Sequence, residues 1–356
     1  MAPHWNTGLQ PDGAASAAKA APIAAGAGVK SRHEPGAVVP LRRPPGPAAR
    51  SDTDYLGQAL RASHLAHGLD LLTDPWCHVI LRAAFMGTRQ FESFQQAVSI
   101  PRQTLSMRLA YLVRIGVLAR LRKDPARARH EYRLTERGRQ LYGNVLTTWA
   151  WHRRWGVADG HLPRQLVHTN CGRAFRPVLL CEHCDGPMTL RQVEPMHARD
   201  IAVDTMRSTR IRRWRGPAAQ SAAPDCDVLA VIDDRWSMLV VVAAMLGASR
   251  FEQLMQMLQI SSAVLTRRLQ RLCALGVLVS ATDPADRRRS LYRLGEAGQD
   301  LFAYVLCMSG WAGRDRDQPD TIGWIHTRCT KAVHGRLACS HCRQTLLPTQ
   351  VTRPRH

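Results

Sequence analysis

Lysine is nearly missing from this chain: Lys19, Lys30, Lys123 and Lys331 stand among 49 basic side chains, so arginine carries the formal charge of +21. An excess of that size points to a polyanionic partner, because each neutralised phosphate releases condensed counterions. A merely solvated, arginine-rich surface would have the same composition. Long apolar runs are lacking too. The longest, Met238 to Ala248, is too short to cross a bilayer and reads as a buried helix, so no membrane partner is expected. The first residues hold no basic region followed by an apolar core, which leaves out a secretory signal and makes the cytoplasm the expected location. No Gly-rich phosphate loop and no nucleophile–base pair stand out, and enzymatic activity is not expected.

An internal repeat organises what is present. With Trp76 placed over Trp236, an offset of 160, Phe91 falls on Phe251, Leu105 on Leu265, Arg108 on Arg268, Leu109 on Leu269 and Leu112 on Leu272. Gly116-Val117-Leu118 falls on Gly276-Val277-Leu278, Tyr132-Arg133-Leu134 on Tyr292-Arg293-Leu294, and Gly138 on Gly298. One residue is lost and regained around Asp124-Pro125 and Asp283-Pro284, where a hairpin tip tolerates it.

Within each copy the apolar residues keep helical spacing up to a break, Asp74-Pro75 in the first. A short helix with Phe91, Phe94 and Val98 on its inner face follows, matched by Phe251, Leu254 and Leu258. Ile100-Pro101 opens a third helix, with proline in its first turn, on which Leu105, Leu109 and Leu112 recur, and Gly116 caps its end. Ser261 is the N-cap candidate in the second copy. Strands at Val117–Leu121 and Glu131–Thr135 flank a basic turn, and Thr135 opens a last helix towards Trp155.

Helix, helix, helix, hairpin, helix is the winged helix-turn-helix order, and it suits double-stranded DNA: a helix fits the major groove while basic hairpin residues lie on phosphates. Away from the leucines the third helix carries Arg102, Gln103, Ser106 and Met107, and its counterpart Ser262, Ala263, Thr266 and Arg267. Arg and Gln can contact base edges bidentately, whereas Ser and Thr read less specifically. The wings offer Arg120, Arg122, Lys123, Arg127 and Arg129, then Arg287, Arg288, Arg289 and Arg293. Arg108 and Arg268 sit near the buried face, where a structural ion pair or cap competes with a DNA contact.

These residues, in this order, resemble the HxlR-type family of bacterial winged-helix regulators over about 64–155 and 224–311. The carriers are Leu69-Asp70-Leu71 before Trp76, Phe91, Leu105 to Leu118, and Tyr132-Arg133-Leu134-Thr135 with Gly138. The resemblance implies a dimeric DNA-binding fold whose terminal helices dimerise. There are departures. Pro75 and Arg235 stand where the family often has lysine, and Ser63 and Ala223 where many members carry a sensing cysteine, so thiol sensing is not carried over. Gly295 replaces the expected capping threonine.

Each copy is followed by one constellation: His168-x2-Cys171-x9-Cys181-x2-Cys184, then His326-x2-Cys329-x9-Cys339-x2-Cys342. Two short-spaced pairs supply the four soft or borderline ligands of a tetrahedral zinc site, and the identical spacing in both copies strengthens the reading. Cysteines packed as small hydrophobes, or a redox dithiol at Cys181 and Cys184, are the competing readings, and His183 or His341 could replace His168 or His326. Gly172 and Gly186 have no counterparts in the second constellation. Each ribbon is expected to close on its own ion, giving two structural zinc ions per chain. Cys77, Cys273 and Cys307 read as core.

The expected fold is mainly α with small β-hairpins (α+β): a disordered Ala/Pro/Gly-rich arm (1–54), a winged helix-turn-helix domain (55–160), a zinc ribbon (161–194), a basic linker (195–223), a second winged domain (224–318) and a second ribbon (319–356). The expected function is sequence-specific transcriptional regulation. The winged units would form an intramolecular pseudo-dimer or a homodimer, and the sequence identifies no effector. A zinc-stabilised scaffold for protein or RNA is the alternative.

Overall fold

A computed structural model describes residues 49–72, 74–124, 127–156, 162–196, 231–232, 234–284 and 286–354. The first half runs α1 (Ala49–Ala62), α2 (His64–Leu72), α3 (Pro75–Phe85), α4 (Phe91–Val98), α5 (Arg102–Arg114), β1 (Leu118–Asp124), β2 (Arg127–Leu134), α6 (Glu136–Arg139) and α7 (Tyr142–Trp155). Short strands follow: β3 (Val167–His168), β4 (Arg173–Ala174), β5 (Pro177–Cys181) and β6 (Val193–Met196). The second half repeats the order with α8 (Arg235–Met245), α9 (Phe251–Leu258), α10 (Ser262–Ala274), β7 (Leu278–Asp283), β8 (Asp286–Leu294), α11 (Glu296–Asp300) and α12 (Phe302–Gly313). It closes with β9 (Gly323–His326), β10 (Lys331–Ala332), β11 (Gly335–Cys339) and β12 (Val351–Thr352). Among the described residues, no helix is long and apolar enough to cross a membrane.

The repeated residues have repeated mechanical roles. Asp74 caps α3 by accepting from the Cys77 N–H at 3.1 Å, and Asp234 caps α8 by accepting from the Ser237 N–H at 3.2 Å. Both carboxylates are clamped from the third helix: Arg108 reaches Asp74 at 2.6 Å and Arg268 reaches Asp234 at 2.7 Å. That places both arginines in structural ion pairs. Gly116 and Gly276 turn the chain out of α5 and α10 with φ of 72° and 65°, the left-handed backbone that glycine adopts without strain. Gly138 and Gly298 recur for another reason. A Cβ there would lie 2.1 Å from the Val117 carbonyl oxygen and 2.2 Å from that of Val277.

Some boundaries differ from the sequence reading. Pro101 occupies the N-cap position of α5 instead of its first turn, and Ser261 caps α10 by position without a side-chain hydrogen bond. The expected arm ends earlier, because α1 begins at Ala49 and is held by the other half of the chain. It packs on α9, so closely that a Cβ on Gly57 would lie 2.6 Å from Met257 Cα. Arg61 Nη1 donates to the Met257 carbonyl, and Gln256 donates to Asp54 at 2.8 Å. A contact between residues that far apart in sequence leaves no local periodic signal. The linker gives up its first residues to β6; residues 1–48 and 197–230 lie outside the described residues.

The halves are arranged about a pseudo-twofold axis. Trp151 Nε1 donates to the Ala297 carbonyl at 2.7 Å, and Trp311 Nε1 donates to the Arg137 carbonyl at 3.0 Å, positions that exchange under the 160-residue offset. Asn144 donates to the Tyr304 carbonyl at 3.5 Å, its own counterpart across the axis. α12 packs on both α2 and α7, and one apolar core runs through both winged units.

Candidate nucleic-acid interface and metal centres

The leucine rows of the third helices are buried as their spacing predicts: Leu105, Leu109 and Leu112 on α5, and Leu265, Leu269 and Leu272 on α10. Their burial turns the opposite faces to solvent. Arg102, Gln103 and Ser106 are exposed and Met107 is half-buried; Ser262, Ala263, Thr266 and Arg267 are exposed. Arg102 lies over the Phe91 ring at 4.9 Å, which limits its rotamers without covering its edge donors. Further along the same faces Arg114, Gln270 and Arg271 are also exposed, residues the sequence reading passed over.

Both wings are two-stranded antiparallel hairpins in the same register, Leu118 opposite Leu134 and Leu278 opposite Leu294. Arg120 and Arg122 are exposed, Arg120 lying 3.2 Å from His130 Nδ1. The side chains of Lys123, Arg127 and Arg129 lie outside the described residues. Arg287, Arg288 and Arg289 are all exposed, Arg289 pairing with Asp286 at 3.1 Å. The wing root is fixed separately: Arg250 reaches the buried Asp283 at 2.9 Å.

The eight candidate metal ligands come together, but not in the grouping their order suggests. His168 and Cys171 meet Cys339 and Cys342, while Cys181 and Cys184 meet His326 and Cys329, each set of ligand atoms lying within 4.8 Å of one another. The expectation that each ribbon closes on its own four ligands is therefore corrected. The cause is strand pairing. β5 lies antiparallel to β11 with Leu179 opposite Leu337, equivalent residues meeting on the pseudo-twofold. β12 adds to β3, and β6 adds to β9, so each half-ribbon is completed by the other copy. Asp185 ties the same seam by accepting from Arg343 Nη2 at 3.0 Å and from Arg336.

The donor geometry can be tested against zinc. A tetrahedron with metal–sulfur bonds of about 2.3 Å and metal–nitrogen bonds of about 2.0–2.1 Å has edges of about 3.8 Å between sulfurs and about 3.5 Å between sulfur and nitrogen. Cys171 Sγ lies 3.8 Å from Cys339 Sγ, and His168 Nδ1 lies 3.6 Å from Cys171 Sγ and 3.2 Å from Cys342 Sγ. In the second cluster Cys181 Sγ lies 3.8 Å from Cys329 Sγ, and His326 Nδ1 lies 3.5 Å and 3.4 Å from the sulfurs of Cys329 and Cys184. These edges fit a closed four-ligand site. A metal ion held by all four donors would have no coordination position left for water.

The knuckles stabilise thiolate in a paired way. Burial pushes the Cys181 thiol up, but N–H groups of Cys184 and His183 and the neighbouring thiols more than offset it, leaving Cys181 below the ordinary thiol value. Cys339 is held down likewise by the N–H groups of Cys342 and His341. His183 stays out of the clusters and meets His334 edge-on, and His341 contributes its backbone N–H to Cys339 Sγ at 3.4 Å. The missing knuckle glycine is bridged by strain: Thr330 adopts φ 55° where Gly172 has φ 67°.

Comparison with known proteins places these features. The HxlR-like helix-turn-helix family matches residues 71–159 and 231–320, just over half of the chain. An uncharacterised HTH-type transcriptional regulator of Mycobacterium tuberculosis strain H37Rv is 36% identical over 146 residues, which cover 39% of this chain and 89% of that protein. Its counterpart in Mycobacterium bovis matches to the same extent. A solved structure from Pseudomonas aeruginosa, described as a proposed transcription factor, shares 28% identity over 37% of this chain and 89% of its own, with a TM-score of 0.30. Another, described in the same way, shares 27% over 38% and 84%, with a TM-score of 0.25.

Proposed function

The chain belongs to the HxlR-like helix-turn-helix family, whose members are transcriptional regulators and not enzymes, and we propose that it is a sequence-specific, double-stranded DNA-binding regulator using both of its winged units. The observation that carries this reading is the solvent-facing polar row on the third helix of both copies, Arg102-Gln103-Ser106 and Ser262-Thr266-Arg267, above a buried leucine row. A helix presented in that way can enter the major groove while the wing arginines rest on flanking phosphates. The pseudo-twofold arrangement does within one chain what two subunits do in a dimer. The two reading faces differ in chemistry, so the operator has two unlike half-sites.

In the same reading two zinc ions serve structure alone. Bound, each supplies a cross-link between the copies, and His168, Cys171, Cys339 and Cys342, or Cys181, Cys184, His326 and Cys329, hold it. The ribbons thereby lock the spacing between the reading helices.

Gel-shift titration on the protein's own promoter fragment, repeated across salt concentrations, tests the proposal. Specific binding with a steep salt slope is expected, and Arg287, Arg288 and Arg289 replaced together by alanine should flatten that slope. Equal affinity for promoter and random DNA would overturn sequence specificity, and absence of DNA binding would favour a scaffold for protein or RNA.

A further inference from the structure

The first winged unit contains a cleft that neither the reading helices nor the metal clusters use. It lies between α3, α7 and the ribbon segments around Leu162–Leu166 and Val351 and opens to solvent. Val79, Phe85, Trp149 and Leu162 make its walls apolar. Two hydroxyls break that character: Tyr142 Oη and Thr148 Oγ1 are buried without a hydrogen-bond partner, although both residues line the cleft. A buried hydroxyl with no partner costs about 1–3 kcal/mol, so an acceptor that reached either one would be stabilising.

Positive charge gathers on one side. Arg82 lines the cleft, and Arg353 donates to the sulfur of Met86, another lining residue, at 3.5 Å. Burial, and then the neighbouring Arg82 charge, hold the Arg353 guanidinium below its usual value.

The second copy supplies an internal comparison. There His78, Arg82, Tyr142 and Thr148 become Met238, Val242, Phe302 and Met308, all buried. The ribbon residue equivalent to Leu166 is Trp324, which packs edge-on against Phe302 with ring centroids 5.1 Å apart. These four polar side chains are thus replaced by apolar ones in the second copy, while Trp149 becomes Ser309.

We propose that this cleft binds one planar, apolar organic acid, with its rings against Phe85 and Trp149, its carboxylate towards Arg82 and Arg353, and its oxygens accepting from Tyr142 and Thr148. The site stands independently of the DNA reading. The test is calorimetric titration of the full-length, zinc-loaded chain with 2-naphthoate, alongside 2-methylnaphthalene as the uncharged probe. One naphthoate per chain is expected. R82V should weaken it about tenfold or more, and Y142F about three- to tenfold, the worth of one net hydrogen bond. L166W, which installs the second copy's aromatic plug, should abolish binding, and T148M provides a second blocking variant should L166W fold poorly. Ligand-free L166W should bind promoter DNA as the parent does, which separates failure of this site from failure of the DNA reading. No heat at millimolar naphthoate, equal affinity for 2-methylnaphthalene, or naphthoate binding indifferent to R82V and both blocking variants would each overturn the proposal.

Discussion

Replacing His326 by alanine separates the interlaced metal clusters from self-contained ones. His326 Nδ1 lies 3.4 Å from Cys184 Sγ and 3.5 Å from Cys329 Sγ, so its removal opens a cluster whose other members are Cys181, Cys184 and Cys329. The expected zinc content falls from two ions to one. Structural zinc contributes about 10–16 kcal/mol in apparent binding energy, comparable with the entire stability of a domain at about 5–15 kcal/mol. Loss of one ion should therefore free the seam between β5 and β11. Metal analysis gives the stoichiometry, and brief alkylation followed by peptide mass mapping gives the ligands. Cys181, Cys184 and Cys329 should become reactive while Cys171, Cys339 and Cys342 stay protected by the other cluster. Reactivity at Cys339 and Cys342 with protection at Cys181 and Cys184 would refute the cross-copy grouping. Zinc-free parent protein under reducing, chelator-free conditions would refute metal binding altogether.

Alanine at Arg102 and Gln103 should cost about 1–3 kcal/mol on the specific DNA site and little on random DNA, measured by competition gel shift; equal losses on both would leave α5 gripping phosphate only. Asp234 should make α8 acid-sensitive. Burial raises its carboxyl, but Arg268 and Ser237 outweigh that and hold it below the usual carboxylate range. Its contribution is then full above the unfolded carboxyl value and is lost as pH falls through the depressed folded value. D234A should destabilise by about 0.5–2 kcal/mol at neutral pH in urea unfolding, a difference that shrinks in acid; a constant difference would contradict the ion-pair origin. T330G should relieve a left-handed β-branched residue and raise the melting temperature with up to about 1 kcal/mol of stabilisation, whereas a lower one would show Thr330 unstrained.

Local rules made much of this molecule legible in the sequence. The leucines of α5 and α10, the glycines after them, the wing hairpins and the Trp76–Trp236 alignment all express periodicity or backbone geometry within a few residues, and each reappears in the fold. The eight residues of the two Cys/His clusters, which could hold metal ions, were likewise visible from spacing alone. What sequence left open was decided by contacts between distant residues. Arg108 and Arg268 became structural because Asp74 and Asp234, the caps of α3 and α8, lie against them. α1 formed against α9, and the cleft arose where α7 meets a ribbon.

The ligand grouping marks the division most sharply. Two ribbons of identical spacing satisfy tetrahedral coordination equally well whether each closes on itself or trades halves, so no local property distinguishes the two arrangements. Packing of α7 against α12 and the pairing of β5 with β11 on the pseudo-twofold bring His168 and Cys171 to Cys339 and Cys342. The residue types and their spacing determined that clusters able to hold a metal could form; only the tertiary structure determined which copy completes which, because that choice depends on distance through space and not along the chain.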